Sequence, residues 1–226
     1  MTEYASRSKA AAKGLPLYYT EWHPIQGDGA ASAAFAAKIL ADVQGLVEGY
    51  SIWTFSDIYE EGAQRSTPFN DGFGLLNIDG VAKPIYRLYE ILHRIGTERL
   101  PVDIDGEGIT ELLATREDDG ISLLAYHFEV PGRKTQAEDV TIRLPAYPAG
   151  SAYEIRLDEM HCNPKQVWID MGRPEYPTAS QIEALKKASE VTRLPVQLSE
   201  ENGAAVIKFS IQPQSVVYIK IHPKQS

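Results

Sequence analysis

Residues 15–22, Leu-Pro-Leu-Tyr-Tyr-Thr-Glu-Trp, form a short apolar and aromatic run that carries a carboxylate, Glu21, next to its end. Aromatic residues are favoured in strands, and the run is too short for a helix of ordinary length. A second run of the same kind follows at 50–56, Tyr-Ser-Ile-Trp-Thr-Phe-Ser. Between the two, Gly27, Asp28 and Gly29 read as a loop, and residues 30–46 carry Phe35, Ile39, Leu40 and Val43 at helical spacing. Glu3 to Lys13 reads as a helix closed by Gly14, and Pro84 to Ile95 as another with proline near its start. The order helix, strand, helix, strand, long loop, helix belongs to a parallel α/β fold. Parallel strands are normally buried on both faces, so two of them expect further neighbours. The beginning of the sequence therefore reads like the middle of a domain.

From about residue 97 the pattern changes. Glu111–Arg116 and Ile121–Phe128 flank Asp118-Asp119-Gly120, the pattern of a hairpin with an Asp-Gly turn. Residues 140–144, 153–157, 204–211 and 216–221 alternate like strands with one solvated face. Together they predict an antiparallel β-sandwich. Residues 178–190 interrupt it as a helical insertion that Thr178 is placed to cap. The expected organisation is an α/β unit over 1–97 and an all-β unit over 98–226.

Composition narrows the function. A net charge of −9 with no basic stripe argues against nucleic acid. The single cysteine, Cys162, excludes an internal disulfide and a cysteine-based zinc cluster, and His93, His127, His161 and His222 lack metal-site spacing. No metal or cofactor is expected. No apolar run reaches the ~20 residues of a membrane span, and the first residues lack a signal peptide's apolar segment, which makes the cytoplasm the default location.

A carboxylate at the C-terminal end of a buried strand is costly unless paired or used. Glu21 is either a catalytic group or one half of a structural ion pair with Arg or Lys. Trp53, Phe55, Asp57, Glu60 and Glu61 close the second run. Aromatic faces beside carboxylates suit a sugar, whose C–H groups stack and whose hydroxyls donate. The competing reading makes Trp53 and Phe55 core residues and Glu60 and Glu61 a solvated loop.

The motifs Thr20-Glu21-Trp22, Tyr50–Asp57, Glu60-Glu61, Phe73-Gly74-Leu75 and Lys83-Pro84 resemble the β-xylosidase branch of glycoside hydrolase family 39. The later segments Leu157–Asn163, Trp168, Met171-Gly172 and Pro177-Thr178 resemble the same family, in family order. The resemblance implies strands seven and eight of a (β/α)₈ TIM barrel followed by a β-sandwich. It implies hydrolysis with retention, in which one carboxylate attacks the anomeric carbon and a second acts as acid and base. It places Glu21 at the nucleophile position, with Trp53, Glu60 and Glu61 binding a β-xyloside or xylo-oligosaccharide.

The family's Asn-Glu-Pro motif, which holds its acid/base glutamate, is missing from this sequence. Three expectations compete: a truncated enzyme, a partner chain that carries the other strands, or self-association that buries the two strands. The rival readings are a non-catalytic carbohydrate-binding or assembly module, and an inactive product. For a substrate bearing a carboxylate, Arg65 and Lys83 are the candidate cations.

Overall fold

The computed structural model describes residues 2–23, 27–58, 67–130 and 132–224. Its first part contains α1 (Thr2–Ala11), β1 (Tyr18–Trp22), α2 (Ala30–Asp42), β2 (Gly49–Ile52) and α3 (Pro84–Leu92). β1 and β2 pair in parallel, with α2 as the crossover between them. α2 is rich in alanine, the best helix former. Its Ala33, Ala34, Ala36 and Ala37 are fully or almost fully buried, and such small side chains let neighbouring elements approach closely. Val43 closes α2 by donating its N–H to the Ile39 carbonyl at 3.1 Å. α3 begins at Pro84, where a missing N–H costs nothing, and Lys83 occupies its N-cap.

The rest of the chain adds β3 (Glu98–Leu100), β4 (Thr110–Glu117), β5 (Gly120–His127), β6 (Glu138–Pro145), β7 (Ala149–Leu157), α4 (Pro164–Asp170) and α5 (Ala179–Ala188). It ends with β8 (Leu194–Pro195), β9 (Ser199–Glu201), β10 (Ala204–Ile211) and β11 (Ser215–Pro223). A six-stranded sheet runs β3-β4-β5-β11-β7-β8 and a three-stranded sheet runs β6-β10-β9, with every pairing antiparallel.

The six-stranded sheet is covered on both faces. Leu123, Ala125, Ile219 and Ile221 pack with Ile142, Ile207 and Ile211 of the smaller sheet. From the opposite face, Leu124, Tyr126, Ile155, Leu157, Val216 and Tyr218 join one continuous core with Ala33, Ala37, Leu88 and Ile91 of α2 and α3. Burial of each such aliphatic side chain stabilises by about 1.5–3 kcal/mol. The expectation of one solvated face therefore fails for β11, which, like β5, is buried along nearly its whole length. Two layers cover them, and alternation along a single strand cannot reveal the second layer.

The hairpin β4–β5 forms where expected, but its glycine serves another purpose. Glu117 pairs with Gly120, so Asp118 and Asp119 are the turn. Gly120 has φ +149°, and a Cβ there would lie 2.0 Å from the Ile221 carbonyl oxygen. It is glycine because β11 crosses too close for any side chain.

α5 starts on Thr178 with a complete capping box to Gln181, as its sequence predicts. α4 was not anticipated. Asn163 caps it by accepting from the Gln166 N–H, and Pro164 opens it. Trp168 of α4 and Leu185 of α5 bury against Phe69 and Val81 of the first part. Arg87 of α3 completes the docking by donating to the Ser189 carbonyl at 2.6 Å.

Candidate active site

The pairing of β1 with β2 is irregular at the point that matters. Tyr19 pairs with Tyr50 and Trp22 with Ile52, so β1 advances three residues where β2 advances two. This is a β-bulge, and it re-aims side chains. Tyr19 and Trp22 both pack into the core beneath the strands, while Thr20 and Glu21 are both exposed. A regular strand would have placed Glu21 opposite Trp22 but returned Thr20 to the core side.

Glu21 makes no hydrogen bond or ion pair among the described residues. The structural ion pair weighed as the alternative is thus not formed with any described residue. Trp53 follows β2 directly and donates its N–H to the Trp22 carbonyl at 2.9 Å, which sets it beside the end of β1. Trp53 is half-buried, whereas Phe55 is 64% exposed and is no core residue. Tyr50 meets the edges of Tyr19 and Trp22, each with ring centroids 6.3 Å apart. Its phenol is pushed up to about 12, mainly by burial, and the hydroxyl donates to the Val43 carbonyl at 3.2 Å. Burial also raises Tyr89 strongly. Both rings are therefore neutral neighbours of the strand ends. The Tyr19 hydroxyl is buried without a hydrogen-bond partner among the described residues.

After β2 the chain continues against residues 73–76. The Thr54 N–H donates to Phe73, Leu75 to Thr54, Leu76 to Phe55 and Asp57 to Leu76, at 2.9–3.0 Å. Gly74 is required at this crossing, since a Cβ would stand 2.2 Å from the Asp57 nitrogen. The peptide between Trp53 and Thr54 is cis. Phe73 turns its ring edge-on to His23 at 4.4 Å. Glu60, Glu61 and Arg65 lie outside the described residues.

The loops are tied by a buried ion cluster that the sequence reading did not identify. The Lys83 ammonium lies 2.8 Å from Asp28 Oδ1 and 2.8 Å from Asp57 Oδ2, and all three side chains are 0–2% exposed. Lys83 also donates to the Gly72 carbonyl at 3.1 Å. Asp57 Oδ1 accepts from the Gly74 N–H at 2.7 Å, and Asp28 Oδ2 from the Asp71 N–H at 2.6 Å. Lys165 of α4 reaches Asp71 at 2.8 Å and Asp28 at 3.5 Å. The cluster joins the loop after β1, the loop after β2, residues 71–74 and the start of α3. Burial pushes the Asp57 carboxyl above the usual range, against the pull of Lys83. Lys83 is therefore consumed by two aspartates and does not face a substrate carboxylate. One signal for this was available: a lysine at a helix N-terminus opposes the helix dipole and needs compensating anions.

Other polar residues hold structure. Asp158 Oδ1 accepts from the Met160 and His161 N–H groups at 2.8 Å and lies 2.8 Å from the His161 ring, closing the turn before α4. Cys162 is buried, its thiol is pushed up to about 11 mainly by burial, and its Sγ donates to the Glu190 carbonyl. That is the opposite of an activated nucleophile. Among the described residues no group of three or more His, Cys, Asp and Glu side chains forms a metal site, and no helix is long and apolar enough to cross a membrane.

Comparison with known proteins gives consistent results. The model for glycosyl hydrolases family 39 matches residues 5–203. A β-xylosidase of Caldicellulosiruptor saccharolyticus is 37% identical over 236 residues, covering 97% of this chain and 48% of that protein. A β-xylosidase of Geobacillus stearothermophilus is 32% identical, covering 87% of this chain and 39% of the relative. The crystal structure of a monomeric β-xylosidase from Caulobacter crescentus CB15 superposes with a TM-score of 0.79 at 29% identity, over 98% of this chain and 49% of its own. The chain spans about half the length or less of the curated relatives it matches.

Proposed function

This chain belongs to the glycosyl hydrolases of family 39, and from that premise we propose that it carries the nucleophile side of a retaining β-xylosidase-like site, with Glu21 as the attacking carboxylate. The observation that carries the reading is the position of Glu21. It stands exposed at the end of a parallel strand, without a partner among the described residues, next to Trp53. β1 and β2 are read as strands seven and eight of a (β/α)₈ barrel, in which catalytic groups stand at the C-terminal ends of strands. Residues 1–97 are then the barrel portion and 98–226 the sandwich.

In the proposed reaction Glu21 attacks the anomeric carbon of a β-xyloside as the bond to the leaving oxygen breaks. A second carboxyl, roughly 5 Å away, protonates that oxygen and then deprotonates the water that releases the sugar. No residue of this chain is assigned to that second role. Trp53 supplies a stacking face, and Glu60 and Glu61 are proposed to accept from sugar hydroxyls. The acid/base group is proposed to stand on further barrel strands beside the β1–β2 pair.

The test is mass spectrometry after incubation with a 2-fluoro-xyloside bearing an activated leaving group, which departs without acid assistance. A covalent sugar on Glu21, lost in Glu21→Ala, is the expected result. Absence of the adduct from the folded chain, persisting when a complementing barrel portion is added, would refute the assignment.

A further inference from the structure

A cavity of about 260 Å³ lies between the end of α3 and the helix-covered face of the six-stranded sheet. We propose that it is a binding site for a small, singly charged, hydroxyl-bearing carboxylate, a sugar acid, separate from Glu21 and independent of the role given to it.

Three features of the lining select that chemistry. The first is aromatic. Tyr153 on β7 pairs across the sheet with Lys220 on β11, and Tyr218 and His222 stand two residues to either side of that lysine, on the same face. The Tyr153 ring lies 6.3 Å from Tyr218 and 6.2 Å from His222, centroid to centroid. Tyr218 is buried behind them and Arg193 lies over one face of Tyr153, so the half-buried Tyr153 and His222 are the rings that the C–H face of a pyranose can meet.

The second is cationic. Arg193 holds its guanidinium 4.8 Å over the Tyr153 ring, and Arg94 projects from the end of α3. Both are exposed, and neither forms an ion pair among the described residues. A guanidinium that is already oriented by an aromatic face meets a carboxylate bidentately with little further ordering.

The third is anionic and excludes compact multivalent anions. Lys220 is 4% exposed and is held by Glu117 at 2.9 Å and Asp119 at 2.6 Å, so its charge is already matched. Asp119 is 64% exposed and keeps free lone pairs, and the Glu117 carboxylate accepts from Ser122. These carboxylates accept from ligand hydroxyls but repel a dianion such as hydrogen phosphate. A neutral sugar would leave the two arginines unused.

Isothermal titration of the 226-residue chain with sodium D-glucuronate, D-xylose and sodium phosphate tests the site directly. Glucuronate is expected to bind saturably, and about tenfold or more tighter than either control. The exposed pair Arg94→Gln and Arg193→Gln, with folding checked by circular dichroism, is expected to weaken glucuronate about tenfold or more, while Glu21→Ala leaves it unchanged. Absence of glucuronate binding, or equal affinity for xylose or phosphate, overturns the proposal from the unmodified chain alone. Binding that survives the double substitution, or that disappears in Glu21→Ala, overturns it by moving the ligand elsewhere.

Discussion

Replacing Lys83 by methionine isolates the most concentrated electrostatic feature of the molecule. The substitution keeps most of the side-chain volume and removes one ammonium from between Asp28 and Asp57, where every participant is 0–2% exposed. Taking one partner from a buried ion pair costs about 3–5 kcal/mol, because the remaining charge is left unmatched. Here two like charges remain, so the upper part of that range applies. Against a total stability of about 5–15 kcal/mol the loss is large. With a urea slope of roughly 2–3 kcal/mol per molar, the midpoint should fall by about 1.5–2 M.

The pH dependence separates charge from packing. Burial already raises the Asp57 carboxyl, and Lys83 is the strongest influence lowering it, so its removal raises the folded-state value further. A carboxyl raised in the folded state binds its proton more tightly there than in the unfolded chain. Its penalty is absent below the unfolded value, near 3.8, and grows as pH rises through the folded value. Lys83→Met should therefore recover stability on acidification from about pH 7 to about pH 5, relative to the unmodified protein. Urea unfolding followed by tryptophan fluorescence at both pH values measures this. A loss below about 1 kcal/mol, or the same loss at both pH values, would refute the cluster as the tie between the loops.

Two further substitutions probe the sheets. Gly120→Ala places a Cβ 2.0 Å from the Ile221 carbonyl at φ +149°, and should cost about 2–4 kcal/mol, a melting temperature lower by roughly 5–15 °C. An unchanged melting temperature would contradict the close crossing of β5 and β11. Glu138 joins the two sheets by accepting from the Ile109 N–H at 2.9 Å and from the Thr110 N–H and hydroxyl at 3.0 and 2.6 Å. Burial works against its ionisation, but these hydrogen bonds outweigh it and hold the carboxyl below its ordinary 4.5. The stability it contributes is complete above that value and is lost as pH falls through the lowered one. Glu138→Gln should cost about 1–3 kcal/mol at neutral pH and flatten the acid limb of a stability–pH curve, whereas an unaltered acid limb would show that the linkage is not there.

Local pattern alone identified the two aromatic strands with a helix between them, the hairpin of β4 and β5, and the capped helix at Thr178. Each depends on neighbours a few residues apart, and periodicity and capping are local physics. The same reading singled out Glu21 and Trp53 as strand-end residues, and the motifs around them carried the family resemblance. What it could not supply was non-local. The bulge that turns Thr20 outward beside Glu21 exists only in the pairing of β1 with β2, because Tyr19 and Trp22 must both reach the core beneath. Gly120 is explained by Ile221, about a hundred residues away, and Lys83 by Asp28 and Asp57, whose charges become costly only once folding removes them from water. The burial of β5 and β11 on both faces follows from α2, α3 and the smaller sheet closing over them. Sequence determined which elements form and which residues can do chemistry; tertiary structure decided which way those residues face and which charges meet, since both depend on distances between segments far apart in the chain.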